Sequence, residues 1–130
     1  IDCQFCHNGA EKGRHAAIPP ATTCMKCHDQ VKKDSPEIAK IRKAITDGTP
    51  IQWARVHRTQ AFVFFNHSRH VNSGVACQDC HGPIQSMDIV EQAGQLTMGE
   101  CLKCHRDTNA KAIQAGKRAP APTDCSACHY

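Results

Sequence analysis

The chain is 130 residues long, with a formal charge of +4, ten cysteines, nine histidines and only one Trp, one Tyr and four Phe. Such a length suits a single domain spanning 1–130, but so few bulky apolar side chains exclude a fold held by packing alone; disulfides, metals or cofactors must contribute. No apolar run of about 18 residues is present to cross a membrane as a helix, so any anchor would have to lie outside these residues.

In chain order, residues 1–29 hold two cysteine clusters, CQFCH and CMKCH, joined by the loop AAIPPATT. Residues 30–60 lack cysteine. There Ser35-Pro36-Glu37 reads as a helix start, with Ser at the N-cap and Pro in the first turn. Ile38, Ile41 and Ile45 recur at helical spacing, and Gly48 is the expected stop. The segments PIQWARVH and AFVFF, rich in β-branched and aromatic residues, read as extended. They flank His57 and lead into FNHSRHVNSGVACQDCH, which holds His67, His70 and the third cluster. SMDIVEQAG predicts a short helix from Ser86 to near Gly94. A last helix is expected from about Asp107 to Gly116, before APAPTD introduces CSACH. The fold class that results is mainly irregular with short α-helices and little β.

The cysteines decide what organises those loops. They pair as Cys3/Cys6, Cys24/Cys27, Cys77/Cys80, Cys101/Cys104 and Cys125/Cys128, each pair two residues apart and each followed by histidine: His7, His28, His81, His105 and His129. C-x-x-C-H is the attachment signature of c-type haem. The two thiols add to the porphyrin vinyl groups, and the adjacent histidine ligates the iron from one side. Disulfides and zinc are the competing uses of cysteine. Five repeats without exception consume every thiol, and none of the CxxC pairs lacks its histidine. Five covalently bound haems c are the expectation, in a multihaem cytochrome c of class III type. Covalent haem places the chain outside the cytoplasm. The haem propionates also bring the charge from +4 to roughly −1 with ferric and −6 with ferrous haems. A nucleic-acid partner therefore does not follow from the pI.

Each electron-transfer haem ordinarily needs a second axial ligand, His or Met. Outside the motifs stand His15, His57, His67 and His70, and Met25, Met87 and Met98. His57, His67 and His70 are the expected distal ligands, with His15, Met98 and Met87 as further candidates. Met25, inside a CxxCH loop, is poorly placed. Four histidines leave one haem short, and histidines upstream of Ile1 are the favoured remedy over methionine. The first motif begins at residue 3, which predicts a preceding segment.

The pattern F-x-H-x-x-H before CxxCH resembles the cytochrome c3/c7 class. SPEIAKI, PIQWARVH, FVFFNHSRHV, GVACQDCHGPI, MDIV and LTMGECLKCHR together resemble the pentahaem cytochrome subunit of alternative complex III, over roughly Cys3 to Arg106. That bacterial membrane complex oxidises quinol and passes electrons to a soluble cytochrome or an oxidase. The resemblance implies an electron-transfer subunit on the periplasmic face of the cytoplasmic membrane, anchored upstream of Ile1. Its implied partners are an iron–sulfur subunit, a monohaem cytochrome and a downstream cytochrome or oxidase. By the c3/c7 pattern, His67 would serve the haem of Cys77 and Cys80, and His70 a neighbouring one. Family members tend to carry Trp where this chain has Glu100. Catalytic acid, base or nucleophile is not called for. The competing expectations are a free periplasmic shuttle of the c3/c7 kind and, ranked last, a reductase with one open haem.

Overall fold

Short helices separated by irregular loops make up the computed structural model, which describes all residues 1–130. The α-helices are α1 (Cys3–Cys6), α2 (Ala21–His28), α3 (Pro36–Thr46), α4 (His67–Val71), α5 (Gln78–His81) and α6 (Met98–Gln114). Single 3-10 turns occur at Ile84–Ser86 and Cys125–Ala127, and no strand forms. The segments around His57, read as extended, run as irregular chain without ladder partners.

Two compact units divide the chain. One comprises residues 1–54 and 67–73; the other comprises 55–66 and 74–130. In the first, α2 packs on α3. Helix α3 starts as its sequence requires: the Ser35 hydroxyl accepts from Glu37 N at 3.3 Å, Pro36 occupies the first turn, and Ile38 turns inward. Arg42 of α3 reaches back to α2, donating to Asp29 Oδ1 at 2.8 Å and to the His28 carbonyl at 3.2 Å. Helix α4 docks on the loop after the first motif. Ser68 N donates to the Gly13 carbonyl at 3.0 Å, and the Asn72 amide donates to Glu11 O at 3.1 Å.

In the second unit α6 is the longest element, and it begins well before Asp107. The reason is a capping box: Thr97 Oγ1 accepts from Glu100 N, while the Glu100 carboxylate accepts from Thr97 N at 2.9 Å. This reciprocal pair satisfies two otherwise orphaned donors and starts the helix ahead of the fourth cysteine cluster. Glu100 thus has a structural use here. Its carboxyl is held below the usual carboxylate range, chiefly by the Thr97 backbone N–H.

The helix expected over Ser86–Gly94 does not form; only Ile84–Ser86 makes a turn. The β-branched pair Ile89-Val90 favours helix weakly, and Gln92 spends its side chain on loop backbone instead. Its Oε1 accepts from Arg58 N at 3.1 Å, and its Nε2 donates to Gly94 O at 2.7 Å.

Ala10 and Ile38 are the only buried apolar residues, and both lie in the first unit. Neither unit has a side-chain core of ordinary size. What remains to organise them is the array of CxxCH clusters and whatever they hold.

Candidate haem-binding sites

A CxxCH string places its cysteines at i and i+3 and its histidine at i+4, positions that share one face when the backbone is helical. That local geometry recurs. Residues 24–28 lie within α2 and 101–105 within α6, and α1 and α5 are little more than the motifs themselves. His7 N donates to Cys3 O at 2.9 Å and His81 N to Cys77 O at 3.0 Å. The fifth motif is a 3-10 turn capped by Asp124, yet His129 N still reaches Cys125 O at 2.9 Å. Both thiols and the imidazole of a motif therefore face one way, as a porphyrin bonded at two vinyls and one axial position requires.

None of the ten cysteines is joined to another in a disulfide. Cys3, Cys27, Cys101, Cys104 and Cys125 are exposed, and Cys6, Cys24, Cys77, Cys80 and Cys128 are half-buried. Cys27, expected as an attachment point of the second haem, lies exposed in the last turn of α2, its carbonyl accepting from Val31 N at 2.9 Å. The physical reason is the thin packing: an eight-residue helix laid on one neighbour, α3, cannot cover all its sides. The same openness leaves the sulfur within reach of a porphyrin vinyl.

The histidine rings are oriented by their Nδ1 atoms. His7 Nδ1 stands 2.6 Å from Ala17 O, His28 Nδ1 3.0 Å from Val31 O, His105 Nδ1 2.5 Å from Pro122 O, and His129 Nδ1 3.0 Å from Phe62 O. A carbonyl can only accept, so each Nδ1 must carry the proton, and the lone pair of the neutral ring then lies on Nε2. An imidazole pinned in this way is set to ligate a metal through Nε2, with raised basicity.

The carbonyls are held in turn. Asn109 clasps residue 121 from both sides, donating to Ala121 O at 2.7 Å and accepting from Ala121 N at 2.9 Å, which presents Pro122 O to His105. Phe64 N donates to Cys128 O at 2.9 Å, and Phe64 stacks on Tyr130 at 4.6 Å. Together they lay the Phe62 carbonyl over His129. Ala17 adopts a left-handed φ of 66° as it offers its carbonyl to His7. In that loop Gly9 is obligatory, since a Cβ there would stand 2.7 Å from His15 O.

Of the histidines outside the motifs, His67 has the same fixing. Its Nδ1 lies 2.6 Å from Arg14 O. His70, one helical turn on in α4, shares its face. His57 is different: its Nε2 is buried without a hydrogen-bond partner. Such an orphan costs about 1–3 kcal/mol unless something else engages it. Its ring meets that of His81 edge-on, with centroids 4.4 Å apart. His15 is exposed, and Met98, in the first turn of α6, is 68% exposed. The Met87 methyl approaches Gly82, beside the third motif.

The division into units sorts these groups. The first unit holds the motifs at 3–7 and 24–28 with His15, His67 and His70; the second holds the motifs at 77–81, 101–105 and 125–129 with His57, Met87 and Met98. The thiols of the second unit sense one another. Burial pushes the Cys80 thiol up, and the charges of Cys104, Asp79, Cys101 and Cys77 add to it. Burial likewise raises Cys101, with Cys128 next in effect. No three His, Cys, Asp or Glu side chains converge as a site for a bare metal ion. Two thiols and one imidazole per motif, four of the five imidazoles pinned at Nδ1, are instead the donor set for a porphyrin iron, whose macrocycle supplies four nitrogens. The residues fit covalent haem.

The Nδ1 anchors are absent from the sequence reading. The signal for one of them was present, because Asn109 follows His105 by four residues on a helix and can reach the Pro-containing segment beyond.

Comparison with known proteins points the same way. The family described as cytochrome c7 and related cytochrome c matches residues 63–130. The multihaem cytochrome c subunit of menaquinone reductase from Nitratidesulfovibrio vulgaris Hildenborough is 24% identical over 152 aligned residues, covering 99% of this chain and 69% of that protein.

Proposed function

This chain belongs to the family of cytochrome c7 and related cytochromes c, an electron carrier with covalent haem c, and we propose that it carries five such haems as the electron-relay subunit of a membrane-bound, quinone-linked complex. The observation that carries the reading is the recurrence of one motif and one orientation. CxxCH occurs five times, and four of its histidines have Nδ1 tied to a backbone carbonyl. Bound haem supplies a one-electron ferric–ferrous couple. The chain's own residues attach it, orient its axial ligands and set its potential through ligand identity, burial and nearby charge. His7, His28, His81, His105 and His129 are the proximal ligands, each next to the thiols that attach its haem, and His57, His67 and His70 are distal ligands. His15, Met87 and Met98 are the remaining candidates for distal positions.

The relative named as a subunit of menaquinone reductase supports a quinone-linked complex as the setting. The resemblance to the pentahaem subunit of alternative complex III supports the same setting with electrons leaving quinol. A haem relay conducts either way, and the direction follows from the potentials of its partners. Iron–sulfur and monohaem cytochrome subunits, and a downstream cytochrome or oxidase, are the proposed neighbours. The proposed location is the periplasmic face of the cytoplasmic membrane. No helix of the chain is long and apolar enough to cross a membrane, so attachment would come from partners or from a segment outside these residues.

Mass spectrometry of the denatured protein tests the haem count, with an increment of five haems expected and four or fewer defeating it. Fractionation of the native protein tests the setting. Recovery with membrane complexes that reduce or oxidise quinone is expected. Recovery wholly in the soluble periplasm would favour a free shuttle.

A further inference from the structure

We propose that His57, and not His67, is the distal ligand of the haem attached at Cys77 and Cys80. The inference rests on the reading that this third motif carries haem. Three observations bear on it. His57 Nε2 is buried with no hydrogen-bond partner, a state in which an imidazole nitrogen is either unsatisfied or reserved for a metal. The ring that His57 touches is that of His81, the proximal ligand of this motif, with centroids 4.4 Å apart and planes at 77°. His57 is also the sole histidine outside the motifs in the unit that contains His81.

His67, the first histidine of F-x-H-x-x-H, lies instead in the unit of the first two motifs. It is tied there through Nδ1 to Arg14 O at 2.6 Å, while Ser68 N bonds Gly13 O. The c3/c7 pattern would pair His67 with the motif that follows it. The placement of His57 departs from that pattern and leaves His67 to a different iron. The imidazole contact is closer than a metal-bridged pair, because two metal–nitrogen bonds of about 2 Å each set the nitrogens about 4 Å apart and the ring centres further still. An iron held between the two rings would therefore require them to stand further apart than this contact. Met87 is the competing donor, since its methyl approaches Gly82, the residue after His81.

The test uses the haem-loaded protein. Mass analysis of the proteolytic peptide containing Cys77 and Cys80 first establishes its haem; a haem-free peptide would defeat the premise, separately from the pairing. In His57→Gly, one haem is expected to turn high-spin by electron paramagnetic resonance, and added imidazole should return it to low spin. In a Cys77→Ala/Cys80→Ala background, adding His57→Gly is expected to produce no new high-spin signal, whereas adding His67→Gly still produces one. Met87→Leu should leave the haem of Cys77 and Cys80 low-spin. The proposal is overturned if His57→Gly yields no high-spin haem, if its signal appears in the background lacking the third haem, or if Met87→Leu produces the high-spin species. Should the cysteine variant not accumulate, nuclear Overhauser contacts in the intact protein decide. Contacts from the His57 ring to the haem methyls of the Cys77/Cys80 group support the pairing, and contacts to another haem, or to none, overturn it.

Discussion

The unit with two haem motifs has three histidines to offer as distal ligands, His15, His67 and His70, whereas the unit with three motifs has one, His57. The first unit also contains the two buried apolar residues and the α2–α3 packing; the second buries none and relies on α6 and its clasped loop. Demand for cofactor is thus greatest where the polypeptide supplies least of its own core and fewest nitrogen ligands. If Met87 or Met98 fills a distal position in the second unit, its haem will sit higher in potential than a haem of the first unit ligated, as proposed, by two histidines, since a thioether favours ferrous iron. A gradient along a relay can come from such a difference in ligand supply.

The hardest test of this contrast removes haem altogether. Polypeptide produced without haem attachment should lose cooperative structure. Hydrogen exchange should show residual protection only around α3 and Ile38, and none in residues 74–130. A sharp thermal transition in the haem-free chain, followed by circular dichroism, would break the argument that haem is the core.

Next in size are the ligands of α4. His67→Gly and His70→Gly should each convert one haem, a different one in each variant, to a high-spin or weakly ligated form and raise its potential. Identical spectra from the two variants would contradict the assignment.

Backbone strain offers a matched pair. Gly9 in the first unit and Gly82 in the second both lack room for a Cβ; at Gly82 it would stand 2.5 Å from Ala93 Cβ, at a φ of +69°. Each Gly→Ala variant should lose about 1–3 kcal/mol in denaturant unfolding, with Gly82→Ala the worse because steric and dihedral costs add.

Smaller again is Asn109→Ala. Releasing residue 121 removes the carbonyl partner of His105 Nδ1, and such outer partners shift metal-site properties about tenfold, or roughly 60 mV for a one-electron couple. Only the haem at Cys101 and Cys104 should move, upward, in a spectroelectrochemical titration.

The smallest effect is that of caps and pH. Thr97→Ala should cost about 1 kcal/mol. Glu100 is lowered chiefly by the Thr97 backbone N–H, and Asp124 chiefly by the Ser126 hydroxyl. With folded values depressed, the unfolded chain binds protons first. Their contribution is therefore complete above about pH 4 and is lost as pH falls through the depressed values. Asp124→Asn should lower stability above about pH 4, where that contribution is complete, with little change in strong acid, and so flatten the acid limb of unfolding.

The covalent chemistry was legible in the sequence because it is local. A CxxCH string needs one turn of helix to align two thiols and an imidazole, and five consecutive residues specify that turn. Helix α3 was legible for the same reason, its cap, proline and isoleucine period all lying within Ser35–Gly48. The capping box at Thr97 and Glu100 is equally local, and passing over it sets the expected start of α6 too late. The segment 86–94 failed as a helix through a partner distant in sequence, Arg58, whose backbone N–H holds Gln92. Distances of that kind decided the rest. Arg14 O meets His67 across 53 residues and Phe62 O meets His129 across 67, and His57 lies against His81. Which histidine faces which motif depends on how loops return, and loop return carries no periodicity or spacing for a sequence to display. Spacing along the chain displayed the five CxxCH clusters; tertiary structure alone decided which carbonyl meets which imidazole, and that His57 lies against His81.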